Sequence, residues 1–282
     1  MQKSEVESTV GVIGAGFVGG AVMNGFQRIT QVKIHDNNPK RTTDGWCETV
    51  TCDVVFICVP TPTCDATGTC DLTILDAVLA RLAVTRNVGI VVVKSTVPPG
   101  VIEQRCTRYP GLRLISNPEF LTERNANADF LNPVSVVLGY RPTEHTCADV
   151  VETLYRGLTN APIIHVSHDE AALIKYGRNC FFATKVIFFN ELSQLCGKIG
   201  VDYEHVRQGI LASKWVNAMH TLVPGPDGQY GFGGKCFPKD TRALVAFAKA
   251  QGVDLSLIAA AIRKNLTLRQ DHDWKRIPGA LS

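Results

Sequence analysis

The sequence predicts an α/β protein in which a doubly wound parallel-sheet domain is followed by an all-helical domain. Short β-branched runs alternate with helical patterns up to about residue 166, and a glycine-rich turn follows the first run. Apolar residues then recur every three to four positions through residues 169–198 without a proline, which is typical of one long helix. We therefore expect a sheet domain in residues 1–166 and a helical domain in residues 167–282.

The individual elements follow from the same patterns. The runs predicted as strands lie at residues 9–13, 31–35, 53–59, 88–94, 112–116, 134–138 and 162–166. The helices predicted between them lie at residues 20–28, 71–82 and 148–158, and such alternation indicates parallel strands joined by crossover helices. The later helices are predicted at residues 169–198, 202–211, 241–250 and 256–269, with a loop rich in glycine and proline at 224–238.

Composition excludes several classes of protein. The 282 residues are 45% hydrophobic and 20% charged, with a net charge of +3, which is too small and too evenly spread to predict binding to nucleic acid. No apolar run reaches the roughly 18 residues of a membrane-spanning helix. Acidic residues lie at the N-terminus, where a secretory signal would be apolar. We therefore expect a cytoplasmic protein without nucleic-acid or membrane partners.

The chain contains ten cysteines, several of them inside apolar patterns. In a cytoplasmic protein most such residues are reduced and packed in the core. Cys64 and Cys70, six residues apart in a polar loop, are the one pair that could form a disulfide or bind a metal ion. No CxxC motif or nearby His completes such a site, so we expect no metal.

The glycine-rich turn predicts a dinucleotide site of the Rossmann type. Gly14, Gly16 and Gly19 form a Gly-x-Gly-x-x-Gly motif between the first strand and the first helix. The first glycine makes the turn, the second lets the backbone approach a pyrophosphate, and the third lets helix and strand pack closely. Asp36, which follows the second strand, would accept hydrogen bonds from the ribose and repel a 2′-phosphate. The motif therefore predicts NAD rather than NADP.

Two alternatives to this interpretation stay open. Lys40 and Arg41 could admit NADP, although solvated charges at a helix start explain them equally well. A doubly wound sheet can also bind no dinucleotide at all.

Further loops follow strands at the carboxyl edge of the predicted sheet, where open α/β sheets bind ligands. They lie at residues 60–63, 95–99 and 117–123. Thr96, Glu119 and Glu123 are therefore expected near the nicotinamide. Turn formation and helix capping are the alternative roles of these residues.

Two segments of the helical domain carry reactive side chains. Lys175 and Asn179 share one face of the long helix among apolar neighbours, so the lysine either binds an anion or a developing oxyanion or extends to solvent. In Gly231–Asp240, glycines precede Cys236 and a helix start, whose dipole would lower the pKa of the thiol. This arrangement is typical of a nucleophile.

Taken together, these segments resemble the UDP-glucose/GDP-mannose dehydrogenase family. The similar blocks, in the order and spacing of the family, are Gly14–Gly19, Val55–Pro62, Lys94–Pro98, Ser116–Glu123, Lys175–Asn179 and Gly231–Asp240. The resemblance implies an enzyme that oxidises the C6 alcohol of a nucleotide sugar, such as UDP-glucose, to a carboxylate. It also implies the use of two NAD per sugar and a covalent thioester intermediate.

The resemblance further implies roles for individual residues. Cys236 corresponds to the nucleophile, Lys175 to the oxyanion-stabilising lysine and Asn179 to its partner. Glu119 corresponds to the glutamate of thioester hydrolysis, and Asp240 and Thr96 to residues that order the water or proton path. The implied cofactor-binding residues are Gly14, Gly16, Phe17, Val18, Gly19, Asp36, Pro60, Thr61, Thr96 and Glu123. The implied substrate-binding residues are Glu119, Phe120, Leu121, Lys175, Asn179, Phe232, Gly233 and Lys239.

The resemblance also bears on assembly and on the nucleotide. It implies a homodimer built on the long helix, which is apolar around much of its circumference. Family members continue into a second Rossmann-like domain that binds the nucleotide, whereas this chain stops at Ser282. We therefore expect weak turnover of UDP-sugars, with His220 and Asp227 in the loop at residues 220–229 as substitute contacts or as parts of a solvated connector.

Two other functions are compatible with the same architecture. A two-electron 3-hydroxyacid or phosphogluconate-type dehydrogenase would need no third domain, but its chemistry needs no thiol, and Cys236 argues against it. A non-catalytic protein that binds NAD or a nucleotide sugar would likewise need no nucleophile.

Overall fold

The computed structural model describes residues 8–282, apart from the side chain of Glu123. The chain forms two compact units. The first comprises the residues up to Thr61 together with Leu72–Lys175, and the second comprises Pro62–Asp71 together with Tyr176–Ser282.

The first unit is built on one sheet of seven strands. These are β1 (Val10–Ile13), β2 (Val32–His35), β3 (Val54–Ile57), β4 (Ile90–Val93), β5 (Leu114–Ser116), β6 (Val136–Gly139) and β7 (Ile163–Val166). The strand order is β2-β1-β3-β4-β5-β6-β7, and the strands from β2 to β5 in this order are parallel to one another. The chain order reverses between β1 and β3, and such a reversal is where open α/β sheets place their ligands.

One feature of the predicted sheet is wrong. Strand β6 pairs with β5 in the antiparallel direction, through Ser116 and Gly139, whereas β6 and β7 are parallel to each other. The sheet is therefore mostly parallel, not entirely parallel. A strand that is buried on both faces has the same apolar pattern whichever way it runs, so the sequence did not show this reversal.

Helices cover the sheet. They are α1 (Phe17–Phe26), α2 (Trp46–Val50), α3 (Thr73–Ala83), α4 (Val101–Arg108), α5 (Ala126–Leu131), α6 (His145–Arg156) and the beginning of α7 (His168–Ile199). Helices α2, α4 and α5 were not predicted, because helices of five to eight residues are too short to show a clear apolar periodicity. Helix α1 starts three residues earlier than predicted, directly after the glycine turn.

Two apolar clusters lie on the two faces of this sheet. Alternate residues of β3 belong to different clusters: Phe56 packs with Phe26 and Tyr155, whereas Ile57 packs with Leu79. This alternation follows from the period of two in a strand, and both faces are buried, as a doubly wound sheet requires. The predicted fold class is confirmed.

The second unit is helical. It contains the rest of α7, then α8 (Tyr203–Ala212), α9 (Cys236–Ala250) and α10 (Ser256–Leu268). Helix α9 begins at Cys236, five residues earlier than predicted. The segment Pro62–Asp71 joins this unit, where Thr63 forms β-bridges with Cys70 and Leu281. Throughout the described residues, no helix has both the length and the hydropathy of a membrane span, and no disulfide joins any of the ten cysteines.

Two glycines of α1 provide a test of packing in the first unit. A Cβ at Gly25 would collide with the ring of Phe130, whereas a Cβ at Gly20 would meet no atom within 4 Å. Gly25→Ala should therefore lower the free energy of unfolding by about 1–3 kcal/mol. Gly20→Ala, the matched control, should raise it by about 0.5–1 kcal/mol, because alanine favours the helix. Chemical denaturation followed by circular dichroism measures both; equal effects would contradict the packing described here.

Candidate active site

The glycine turn has the backbone that a dinucleotide site requires. Gly14 has a φ of +92°, and a Cβ there would lie 2.9 Å from the carbonyl oxygen of Cys58. A Cβ at Gly19 would collide with the carbonyl oxygen of Gly14. At Gly16, in contrast, a Cβ would meet no atom within 4 Å, so this glycine faces open space. The first and third glycines are needed for packing, and the second leaves room for a ligand.

Helix α1 starts at this open space. Gly16 is its N-cap and supplies no side-chain hydrogen bond, and the first turn, which includes Phe17 and Val18, contains no acidic residue. The N–H groups of a helix start carry a partial positive charge and bind phosphates. The residues present therefore fit the pyrophosphate of NAD.

Asp36 lies at the end of β2 and contacts the glycine turn. Its carboxylate accepts hydrogen bonds from the backbone N–H groups of Ala15 and Asn38, each at 2.7 Å. The backbone N–H of Asp36 donates to the Thr42 hydroxyl at 2.8 Å. These bonds hold a negative charge beside the turn, and a 2′-phosphate would be repelled there. Lys40 and Arg41 follow it and are exposed.

The loops after β3 and β4 are joined to each other. The Thr61 hydroxyl donates to the carbonyl oxygen of Thr96 at 2.7 Å, and both residues are buried, whereas Pro60 is exposed. Thr96 also lines a cavity of about 20 Å³, together with Lys175 and His168. A cavity of this size holds one water molecule.

Lys175 and Glu119 form a buried ion pair in the first unit. The ammonium group of Lys175 donates to a carboxylate oxygen of Glu119 at 2.8 Å and to its carbonyl oxygen at 2.7 Å. The other carboxylate oxygen accepts from the backbone N–H of Leu121 at 2.7 Å, and the Phe120 ring lies 5.6 Å from the ammonium. Lys175 is only 3% exposed, so the alternative that it extends to solvent is wrong.

Glu123 begins a 3₁₀ turn, but its side chain lies outside the described structure.

Sequence reasoning did not single out a second buried lysine nearby. Lys94 donates to the side-chain oxygen of Asn117 at 2.9 Å and to the hydroxyl of Tyr155 at 3.3 Å. Burial lowers the pKa of Lys94 to about 8. The signal was a lysine at the end of an otherwise apolar strand run, because such a residue needs polar partners within the fold.

In the second unit, Asp240 holds two of the predicted site residues. Its carboxylate accepts from the Asn179 amide at 2.6 Å and from the Lys239 ammonium at 2.5 Å, and all three residues are buried. Burial alone would lower the pKa of Lys239, but the Asp240 carboxylate outweighs that effect and raises it. Cys236 is the first residue of α9 and is half-buried, one helical turn before Asp240.

The glycine segment before Cys236 is fixed by polar side chains that the sequence analysis missed. Asn265 accepts from the N–H of Phe232 at 2.7 Å and donates to its carbonyl at 2.9 Å. Asn190 accepts from the N–H of Gly231 at 3.0 Å. A Cβ at Gly233 would collide with the guanidinium of Arg269. Both asparagines interrupt apolar helix patterns. Such an interruption indicates a buried polar side chain that needs a hydrogen-bond partner, and it could have identified these residues.

The loop proposed as a substitute nucleotide contact has partners of its own. Asp227 pairs with the buried Arg269 at 2.8 Å. The ring of His220 packs against Phe182 and Phe237, and burial lowers its pKa. Neither observation tests the predicted role, but replacement of Asp227 would also disturb a buried arginine.

Two family models match the chain. The NAD binding domain of the UDP-glucose/GDP-mannose dehydrogenase family matches residues 24–159, and the central domain of that family matches residues 169–267. These matches confirm the resemblance inferred from the sequence.

Curated relatives point the same way. A UDP-glucose 6-dehydrogenase from Rickettsia bellii is 38% identical over 220 residues, which are 76% of this chain and 49% of that protein. UDP-glucose 6-dehydrogenase AglM from Haloferax volcanii is 34% identical over 263 residues, 84% of this chain and 60% of that protein. The chain thus spans about half the length of the curated relatives it matches.

Solved structures share the fold. A UDP-glucose dehydrogenase from Pyrobaculum islandicum superposes with a TM-score of 0.83 at 28% identity, over 95% of this chain and 70% of that one. The 3-hydroxyisobutyrate dehydrogenase of Mycobacterium tuberculosis has a TM-score of 0.72 at 18% identity, over 94% of each chain, and this likeness shows the fold alone. With both family models matched in order along the chain, the chain belongs to the UDP-glucose/GDP-mannose dehydrogenase family, whose NAD binding domain matches residues 24–159.

Proposed function

We propose that this chain oxidises the C6 alcohol of a UDP-sugar such as UDP-glucose to the carboxylate, with Cys236 as nucleophile. One observation carries the proposal: Cys236 begins a 15-residue helix one turn before a buried Asp240 that holds Asn179 and Lys239. A protein that only binds a nucleotide sugar needs no such set. The relatives named UDP-glucose 6-dehydrogenase support the substrate class.

The proposed reaction removes four electrons from the sugar. NAD, when bound, supplies the hydride acceptor, and two NAD are reduced for each sugar. The alcohol, two NAD⁺ and one water give the carboxylate, two NADH and three protons. The other steps are performed by side chains of this chain.

Cys236 would act between the two oxidations. Its sulfur adds to the aldehyde carbon to form a thiohemiacetal, and after the second oxidation the same carbon is a thioester. Water then attacks the thioester, the C–S bond breaks and the thiol is restored. The position of Cys236 at the start of α9 favours the thiolate, because the helix dipole places partial positive charge there.

Lys175 would stabilise charge on the reacting oxygen of the sugar, and Glu119 would activate the attacking water. The ammonium of Lys175 stabilises the negative charge that develops on the C6 oxygen in each tetrahedral or alkoxide state. Glu119, which that ammonium holds at 2.8 Å, would accept a proton from the attacking water. By the resemblance to the family, Asn179 would donate a hydrogen bond to the reacting oxygen, and Asp240 and Thr96 would order water.

A second candidate is a two-electron 3-hydroxyacid dehydrogenase. The 3-hydroxyisobutyrate dehydrogenase has the same fold, so the fold by itself does not distinguish the two reactions. That chemistry reduces one NAD per substrate and needs no cysteine. The stoichiometry of NADH therefore separates the two functions.

The decisive experiment counts NADH against sugar and tests Cys236 at the same time. The protein is incubated with NAD and with UDP-glucose, other nucleotide sugars and 3-hydroxyacids, and the NADH formed per substrate is measured. We expect two NADH per UDP-sugar, and loss of net carboxylate formation in Cys236→Ser, because an alkoxide is a poorer leaving group than a thiolate. Cys196→Ser, which replaces a buried cysteine of α7, is the control. One NADH per substrate, or full activity in Cys236→Ser, would contradict the proposal.

Lys175→Met tests the stabilisation of the oxyanion. The substitution should lower kcat by a factor of about 10²–10³ and change KM much less, because the ammonium acts on charge that develops in the transition state. Glu119 is left with an unpaired buried charge, so thermal unfolding and NAD affinity of the variant are measured as folding controls. A change confined to KM would assign Lys175 to substrate binding instead.

Asp36→Asn tests the choice of cofactor. The wild type should bind NAD more tightly than NADP, and the variant should narrow this difference in affinity, because it removes the negative charge. Asparagine keeps one oxygen, which can accept from the N–H of Ala15 or of Asn38 but not from both, so thermal unfolding of the variant is measured as well. Lys40→Ala tests the alternative that Lys40, which is exposed and lies four residues further on, admits NADP; in that case the variant would lose affinity for NADP. Titration of both cofactors by fluorescence measures the affinities, and equal wild-type affinities would exclude this role of Asp36.

We also propose that the chain forms a homodimer through α7. Phe181, Phe188 and Leu195 are spaced seven residues apart on one face of this helix and are 63%, 57% and 55% exposed. Such a stripe of exposed apolar side chains is typical of a surface that pairs with another protein. A helix-to-helix contact between two copies would cover it.

Phe188→Glu should convert the dimer to a monomer, because a charge would be buried in the apolar contact. Leu257→Glu, which replaces an apolar residue of α10 that is 70% exposed, should leave the dimer intact. Light scattering at micromolar concentration measures the mass of each protein. A wild-type monomer, or a monomer from Leu257→Glu alone, would contradict the assignment to α7.

A further inference from the structure

A cluster of metal-ligating side chains lies in the first unit and has no part in the proposed reaction. Helix α4 carries Glu103 and Cys106, a 3₁₀ turn ends at Glu144, and His168 is the first residue of α7. Ligand atoms of Glu103, Cys106 and His168 all lie within 4.8 Å of one another. Cys106 and His168 are each only 3% exposed. Two helices therefore bring a buried sulfur, a buried nitrogen and an exposed carboxylate close together.

The imidazole of His168 has the orientation of a metal ligand. Its Nδ1 lies 2.8 Å from the Ser116 hydroxyl, so this nitrogen already has a partner. Its Nε2 faces the Cys106 sulfur at 3.6 Å and a carboxylate oxygen of Glu144 at 3.7 Å. A metal-bound histidine typically bonds a protein oxygen through its other ring nitrogen, which fixes the ring.

One of these separations matches an edge of a zinc site. Zinc bonds of about 2.3 Å to sulfur and 2.0–2.1 Å to nitrogen, at tetrahedral angles, place S and N about 3.6 Å apart. The Cys106 sulfur and the His168 Nε2 lie 3.6 Å apart, and the Glu103 oxygen lies within 4.8 Å of both atoms.

The charges around the cluster are compatible with a dication. The guanidinium of Arg141 binds the Oε1 atom of Glu103 at 2.6 Å, which leaves Oε2 for a metal. The backbone N–H of Arg141 donates to Glu144 at 2.8 Å and orients its carboxylate. Two carboxylates and one thiolate bring three negative charges, and a dication with Arg141 brings three positive charges. Arg141 competes with the metal ion for the Glu103 carboxylate, but its positive charge also completes the balance of charges around the cluster.

We propose that Glu103, Cys106 and His168 bind one zinc ion, which links α4 to the start of α7 beside the Glu144 carboxylate. Thiolate and imidazole select zinc over calcium or magnesium, which prefer oxygen ligands only. Three protein ligands leave the fourth position of the zinc ion to a water molecule. Such a site stabilises the first unit and requires neither Cys236 nor a sugar, so it stands independently of the proposed function.

Cobalt is the probe for this site, because Co²⁺ takes the same ligands as zinc and absorbs light. The full chain is treated with a chelator, dialysed and titrated with Co²⁺ and then with Zn²⁺. We expect one equivalent of Co²⁺ to produce a thiolate charge-transfer band in the near ultraviolet, and one equivalent of Zn²⁺ to remove it. Zinc should also raise the thermal unfolding midpoint of the full chain.

Three variants make the result specific. Cys106→Ser should lose the charge-transfer band and weaken zinc binding by at least about 10²-fold, by analogy with the loss of a supporting ligand. Cys147→Ser, which replaces another buried cysteine of the same unit, should behave as the wild type. Glu103→Gln changes an accessible side chain, so it should fold and bind zinc more weakly even if Cys106→Ser does not fold. No stoichiometric band in the wild type, or an identical band in Cys106→Ser or Glu103→Gln, would overturn the proposal.

Discussion

The buried ion pair between Lys175 and Glu119 is the constraint on which the first unit's candidate site depends. A lysine that is 3% exposed is stable only if a nearby negative charge compensates its loss of water. Glu119 provides that charge from the loop after β5, and its second oxygen holds the N–H of Leu121. The pair therefore fixes the loop at the carboxyl edge of the sheet and the first turns of α7 in one arrangement. Loss of either partner would leave an uncompensated charge inside the protein.

The second unit uses the same principle with a different donor set. Asp240 is 1% exposed and binds the ammonium of Lys239 and the amide of Asn179. A carboxylate with two such donors is held rigidly, which is what a reaction needs from the groups around a nucleophile. Cys236, one turn earlier on α9, is thereby attached to a stiff element. The hydrogen bonds among these side chains explain how the charged residues Lys239 and Asp240 can be buried near the start of α9.

The two units also differ in how they fix glycines. In the first unit, close approach of backbone to backbone requires Gly14 and Gly19, and only Gly16 faces open space. In the second unit, side chains fix the glycine segment instead, because Asn190 and Asn265 bind its N–H groups and Arg269 occupies the space beside Gly233. In the first unit, glycine allows a tight turn and leaves room for a ligand. In the second unit, glycine lets polar side chains approach and hydrogen-bond the backbone.

The sequence by itself determined the fold class, the glycine turn with Asp36, and the need of Lys175 for a partner. Periodicity, glycine spacing and the cost of a buried charge are local properties, so they can be read along the chain. Tertiary structure alone decided that β6 runs opposite to β5, because apolar strands look the same in both directions. It also decided that the Cys106 sulfur lies 3.6 Å from the Nε2 of His168, although the two residues are 62 positions apart in the chain. Contacts between distant residues depend on how whole elements pack, and no local pattern records that packing.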